Sequence, residues 1–169
     1  VAAVNNANRI SLTPSGPTQD QHTLYGPSNA ADRDYFGRFP VLCPNGSGYS
    51  VKLGNTTGGA QAEGLSYSLT IPANRNTYSL IYHYAVVFQD PFHLQFQQPR
   101  LVLEVWNDTD SELIQCSSFT FFPVGSPLPG FFNAGRGDSA DVWCKDWSAV
   151  TINLNEKKKK NIRLFFKTA

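Results

Sequence analysis

Methionine is absent, cysteine occurs three times, and charged residues make up only 16% of the 169-residue chain, for a formal net charge of +1. So even a balance excludes the broad basic field on which nucleic-acid affinity rests, because neutralising backbone phosphates dominates that binding. No apolar run approaches the roughly 18 residues that a membrane-spanning helix needs, so no membrane span is predicted. The opening VAAVNNANRI lacks a cationic start ahead of an apolar core. The chain therefore reads as a mature protein or as an excised segment of a longer one.

Cys43, Cys116 and Cys144 are odd in number, widely spaced and without a nearby histidine, which argues against a metal knuckle and permits at most one internal disulfide. Three buried thiols and a single bridge fit that spacing equally well. Asn45, Asn55 and Asn107 each begin an Asn-x-Ser/Thr triplet and would accept glycans in a eukaryotic secreted protein.

What the chain does contain is 13 glycines, 11 prolines and 13% aromatic residues. That composition favours many short strands joined by turns. Residues 1–45 are rich in turn formers, as in TPSGPTQD, YGPSNAADRD and CPNGSG, and strand patterns dominate residues 46–169. Strands are predicted at 49–53, 65–71, 78–87, 101–106, 113–122, 147–154 and 161–167, with a Pro/Gly-rich loop at 123–141. Seven or eight strands without a credible helix predict an all-β fold: one module over 1–169, built as a two-sheet antiparallel β-sandwich.

Alternation assigns the faces. In LSYSLTI it turns Leu65, Tyr67, Leu69 and Ile71 inward; elsewhere it turns Leu101, Leu103, Val105, Val150, Ile152 and Leu154 inward. The run YHYAVVF is apolar on both faces and predicts a central strand covered on both sides.

The order of YSVKLGN, AEGLSYSLTI, YSLIYHYAVVFQDPFHLQFQQPRLVLEV, IQCSSF, DWSAVTINL and IRLFFKT resembles a module repeated in large secreted surface adhesins of the Bacteroidetes, gliding-motility proteins among them. The resemblance covers roughly residues 40–169 and implies a secreted, cell-surface, jelly-roll-like module that acts in cell adhesion or as a structural repeat. Neighbouring surface-protein modules or surface glycans are the partners it implies. It also makes Asp90, His93, Gln98 and Arg100 a network that braces the segment between two strands, with Asp90 the natural carboxylate for the Arg100 guanidinium. The chain departs from the pattern at Glu156-Lys157-Lys158-Lys159-Lys160, where such modules carry a glycine-containing turn.

Chemistry is sparse. His83 and His93 could serve as bases, yet the sequence has no nucleophile elbow, no HExxH and no carboxylate pair on a recognisable strand pattern, so no catalytic residue and no enzyme is predicted. Asp138, Asp141 and Asp146 offer the hard oxygen ligands that calcium takes, without the spacing of an EF-hand; solvated loop carboxylates are the simpler reading, and no other cofactor is implied. Arg136-Gly137-Asp138 spells the integrin tripeptide, a match frequent by chance. Phe131, Phe132, Trp143 and Trp147 surround the Pro/Gly-rich loop and could stack on sugar rings, which makes a carbohydrate-binding module of an extracellular polysaccharide-degrading system the second functional reading. Core closure at the sandwich edge is the simpler role for the same rings. Lys157–Lys160 reads as a solvated hairpin tip that keeps sheet edges from pairing.

Overall fold

The computed structural model describes residues 4–5, 9–10, 20–57, 61–74, 76–123, 128–137 and 140–169. The strands are β1 (Val4–Asn5), β2 (Arg9–Ile10), β3 (His22–Tyr25), β4 (Ser50–Leu53), β5 (Glu63–Thr70), β6 (Ser79–Gln89), β7 (Leu101–Asn107), β8 (Glu112–Leu113), β9 (Phe119–Phe121), β10 (Phe132–Arg136), β11 (Asp141–Asn153) and β12 (Asn161–Thr168), with three single 3-10 turns between them. Every described pairing is antiparallel. One sheet runs β10-β11-β6; the other runs β5-β12-β7-β8, with β9 also on β7. Two further ribbons, β1-β2 and β3-β4, form separate ladders; β4 touches β5 of the larger sheet, and β1 touches the Gln95–Gln97 turn.

The two main sheets face each other as an all-β sandwich. Leu103 and Val105 of β7, Ile162 and Leu164 of β12, and Ile152 of β11 form one buried cluster with Ile71 and Leu154. Val86, Phe88 and Leu101 form a second cluster, closed by Phe121 and Phe131. The inward assignments of Leu101, Leu103, Val105, Ile152 and Leu154 hold, because period-two alternation matches the pleat wherever an opposing sheet covers it.

Three expectations from patterning do not hold. First, Leu65 and Tyr67 are 41% and 58% exposed. Their register partners on β12 are Phe166 and Leu164, so they do face the interlayer side, but the opposing sheet stops short of β5. Second, β6 pairs with β11 alone among the described residues, and Ile81 on its outer face is 56% exposed. The central strand is β11, whose apolar positions a register shift hides from simple alternation. Third, the run 113–122 is not one strand: a 3-10 turn at Gln115–Ser117 divides β8 from β9. There the Ser118 hydroxyl takes over the ladder, accepting from Val105 N at 3.0 Å and donating to Ile114 O at 3.0 Å. Serine side chains compete in this way with backbone pairing.

The loop expected at 123–141 also contains β10, which zips onto the first half of β11. Further along β11, Lys145 pairs with Val86 and Ser148 with Tyr84, so Asp146 and Trp147 together oppose the single residue Ala85. This bulge reverses which residues face the core: Val142 and Cys144 before it are buried on the outer side, while Ile152 beyond it is buried on the inner side.

Candidate functional site

The segment between β6 and β7 is polar inside and apolar outside. Asp90 follows directly on β6, next to Pro91, which has no N–H to continue a ladder. The Asp90 carboxylate, 1% exposed, then organises the turn: Oδ1 accepts from Phe92 N at 3.0 Å and from Gln98 Nε2 at 3.0 Å. Gln98 also donates to the His93 carbonyl at 3.2 Å. Arg100, 2% exposed, donates from Nη2 to the Gln95 carbonyl at 2.9 Å and from Nε to the Gln98 carbonyl at 3.4 Å. Burial lowers its pKa from the ordinary arginine value. Its backbone exchanges hydrogen bonds with Ala169, tying the segment to the end of β12.

The expected bracing network is therefore present with two changes. Gln98 stands between Asp90 and Arg100, giving one amide hydrogen to Asp90 and its backbone carbonyl to Arg100. His93 enters through its carbonyl, and its side chain is exposed. Asp90 Oδ2 and Gln98 Oε1 remain buried without a protein donor. The Gln98 amide cannot turn to relieve this, because Asp90 Oδ1 and the His93 carbonyl both need its N–H groups.

What this network holds in place is apolar. Phe92, Leu94 and Phe96 are 71%, 64% and 54% exposed. Phe92 sits at φ 56°, the left-handed region that non-glycine residues rarely adopt, and such strain persists only where the surroundings over-determine it. From Pro91 to Gln98 the segment carries no Asp, Glu, Lys or Arg.

The aromatic set around the later loop does not form one platform. Phe131 stacks on Phe88, with ring centroids 6.0 Å apart, and closes the second core cluster. Trp143 is half-buried and paired in register with Phe88. Phe132 is exposed and paired with Cys144. Trp147, aimed away by the bulge, meets the Phe39 ring at 6.5 Å and donates from Nε1 to the Pro40 carbonyl at 2.7 Å. It anchors the 26–49 segment, a contact 107 residues away in sequence that no local pattern signals.

Asp138 lies outside the described residues. Asp141 Oδ2 accepts from Asn133 and Asp146 Oδ1 from the Trp147 backbone, and five residues of strand place the two roughly 15 Å apart. Among the described residues no group of three His, Cys, Asp or Glu could hold a metal ion. Cys43, Cys116 and Cys144 are all free thiols. Burial, followed by the charge of Asp34, pushes the Cys144 thiol up to about 12. Asn107 is fully buried and donates to Asp110 at 2.6 Å, so the folded chain has no acceptor there, whereas Asn45 is exposed.

One surface escaped the sequence reading. On the outer face of the larger sheet, Phe165 lies under both Arg163 and Lys167, at 4.7 and 5.3 Å from its ring centre, beside half-buried Trp106. Trp106 Nε1 donates to Glu104, which also pairs with Lys167 at 2.8 Å. Arg163–Asp108, Lys160–Asp110 and Lys157–Glu112 continue the row of ion pairs. Lys157 and Lys160, two members of the lysine run, are thus paired. The outward alternation of Trp106 with Glu104 was the signal for this face; pairing in register with β12 completes it.

The fold and these surfaces define an antiparallel β-sandwich whose 90–100 loop is hydrogen-bonded inside and apolar outside. Compared with family models, curated proteins and solved structures, the chain matches none.

Proposed function

We propose that the chain is a non-catalytic, secreted cell-surface module that acts in adhesion or as a structural unit of a large bacterial surface protein, of the Bacteroidetes adhesin type its motifs resemble. The observation that carries this reading is the inverted loop at 90–100. Its charged groups are buried at 1% and 2% exposure, while three large apolar side chains are held in water. Large exposed apolar groups on a fixed backbone suit macromolecular contact, because their ordering cost is already met before a partner arrives. Beads coated with the protein should adhere to whole Bacteroidetes cells several-fold better than beads coated with the Phe92→Ser, Leu94→Ser, Phe96→Ser variant. Equal retention of the two would overturn the reading.

A carbohydrate-binding module is the second reading, favoured by the Trp106 ring on the outer face, beside cations that lie over Phe165, with Ser66 opposite Phe165 and Ser68 opposite Arg163. Aromatic faces stack on sugar rings, and flanking hydroxyl and charged groups can fix their orientation. On a glycan array, saturable binding lost in Trp106→Ala supports this face, and loss in Trp143→Ala would move the site to the later loop. Absence of binding to any glycan would sink the reading.

A further inference from the structure

Among the described strands, one long sheet edge lacks every usual guard. Short length, bulges, charges and proline protect an edge from further pairing. β10 has an irregular register, β8 and β9 span two and three residues, and β4 touches β5. By contrast β6 is 11 residues long, leaves the bulge to β11, and holds no proline, Asp, Glu, Lys or Arg. Leu154 N donates to Tyr78 O and Asp90 N to Asp141 O, so the even-numbered positions of β6 carry the ladder to β11. Alternation turns the N–H and C=O groups of Ser79, Ile81, His83 and Val87 to the far side, where no described strand pairs with them. Ile81 and Val87, towards its two ends, are 56% and 37% exposed, so that side is open.

The floor beside this edge is uncovered too. Tyr82 of β6 lies on Phe166 of β12 and Tyr84 on Phe119 of β9, with ring centres 5.4 Å apart in each pair, so β6 slants across the larger sheet away from β5. β11 continues on the side of β7, where Ile152 packs with Leu103 and Val105. On the other side Leu65 and Tyr67 share the interlayer face with Phe166 and Leu164, yet stand 41% and 58% exposed. One more strand beside β6 would lie over them. The start of β5 is different ground: Glu63 is buried, accepts from Thr168 through Oε2, keeps Oε1 without a donor and adjoins Gly54 just past β4. That corner belongs to β4, and the apolar floor is Leu65 and Tyr67.

We propose that β6 accepts a single extended strand from a different protein, which pairs with the outward backbone groups of Ser79, Ile81, His83 and Val87 and sets alternate apolar side chains on Leu65 and Tyr67. A row of N–H and C=O groups at strand spacing is matched as a set only by another extended backbone. Strand addition draws affinity from those bonds and selectivity from the alternate side chains. A second copy does not fit, because the inward side chains of its own β6 already pack in its own core and would put nothing on this floor. The uncharged edge and apolar floor suit a strand that alternates apolar with small polar residues. None of the exposed side chains of the 90–100 loop takes part, so this site stands or falls separately from the adhesion reading.

Calorimetric titration of the full chain tests the proposal with a capped peptide of alternating valine and threonine, long enough to span Ser79–Val87 and carrying lysines only beyond its ends. Saturable binding with a Kd below about 1 mM is expected. The same peptide N-methylated throughout keeps its side chains, loses its donors and should not bind. His83→Pro removes one outward N–H and no bond to β11, while Leu65→Ser with Tyr67→Ser removes the floor. Each should weaken binding by about tenfold or more in protein that circular dichroism melting shows to be folded. Absence of binding at about 1 mM peptide would overturn the proposal, as would equal binding of the N-methylated peptide or wild-type affinity in the floor variant. Dimerisation of wild type that His83→Pro abolishes would give the edge to a second copy and also overturn it. The Phe92→Ser, Leu94→Ser, Phe96→Ser variant should bind the peptide as wild type does; loss of binding there would move the site to the loop.

Discussion

Two loops close the sandwich by opposite means. The 33–40 segment turns one ring inward: Phe39 is 8% exposed, packs on Trp147, and leaves Pro40 to accept the indole N–H, while Tyr35 stays 71% exposed. The 90–100 segment folds polar side inward and leaves its apolar residues outside. The first arrangement gains from burial, at about 25 cal/mol per Å² of apolar surface. The second relies on hydrogen bonds whose net worth is about 1 kcal/mol each, and it keeps apolar surface in water. A loop built only for stability would resemble the first. The second has given up burial for a fixed outward display, which is what makes it the functional candidate.

Substitutions can break this contrast at either end. Phe39→Ala should cost most, about 3 to 4 kcal/mol in chemical denaturation, because it removes a buried ring and leaves a cavity against Trp147. A Cβ at Gly37 would overlap the Phe39 ring, so Gly37→Ala should destabilise through the same contact. Arg100→Ala should cost about 2 to 3 kcal/mol, by orphaning the Gln95 and Gln98 carbonyls together. A change within about 0.3 kcal/mol, the range of an exposed group, would show that the network braces nothing. Trp147→Phe keeps most of the packing and removes one hydrogen bond, so its expected cost is about 1 kcal/mol.

Tyr82→Phe should act in the other direction. The Tyr82 hydroxyl is buried without a partner, so its removal should stabilise the fold by about 0.5 to 1 kcal/mol at neutral pH. Burial, with a smaller contribution from Tyr84, also raises its pKa well above the ordinary phenol value. A phenol that ionises less readily folded than unfolded leaves stability intact below about pH 10 and erodes it as pH rises from there towards the folded pKa. The variant should therefore flatten the alkaline limb of a stability–pH curve; an unchanged limb would assign it to other groups. Smallest of all, the triple serine variant of Phe92, Leu94 and Phe96 should alter stability by less than about 0.5 kcal/mol, since exposed side chains contribute little to folding. A larger loss would mean that these side chains are packed rather than displayed.

How far the sequence could be read differs along the chain in the same way. Strands β7 and β12 were legible because an opposing sheet covers them, so alternation and burial coincide. The identical signal in β5 misled, since Leu65 and Tyr67 alternate as core residues do yet stand 41% and 58% exposed. Alternation reports which side a residue points to, not whether anything lies there. The network of Asp90, Gln98 and Arg100 was identified through a resemblance, but its wiring was not: Gln98 as the intermediary follows from three-dimensional distances. Trp147 resembled a binding aromatic because the bulge that turns it towards Pro40 leaves no mark in composition.

The sequence by itself determined that this is an all-β chain of antiparallel strands, since short alternating runs separated by glycine and proline admit little else. It also determined that residues 91–98 carry apolar side chains without charge. Only the tertiary structure decided that those side chains stand in water and that β5 is left uncovered. Exposure depends on which strands reach across the interlayer space, and that is set by register, the bulge in β11 and the extent of the smaller sheet, none of which is a local property of the chain.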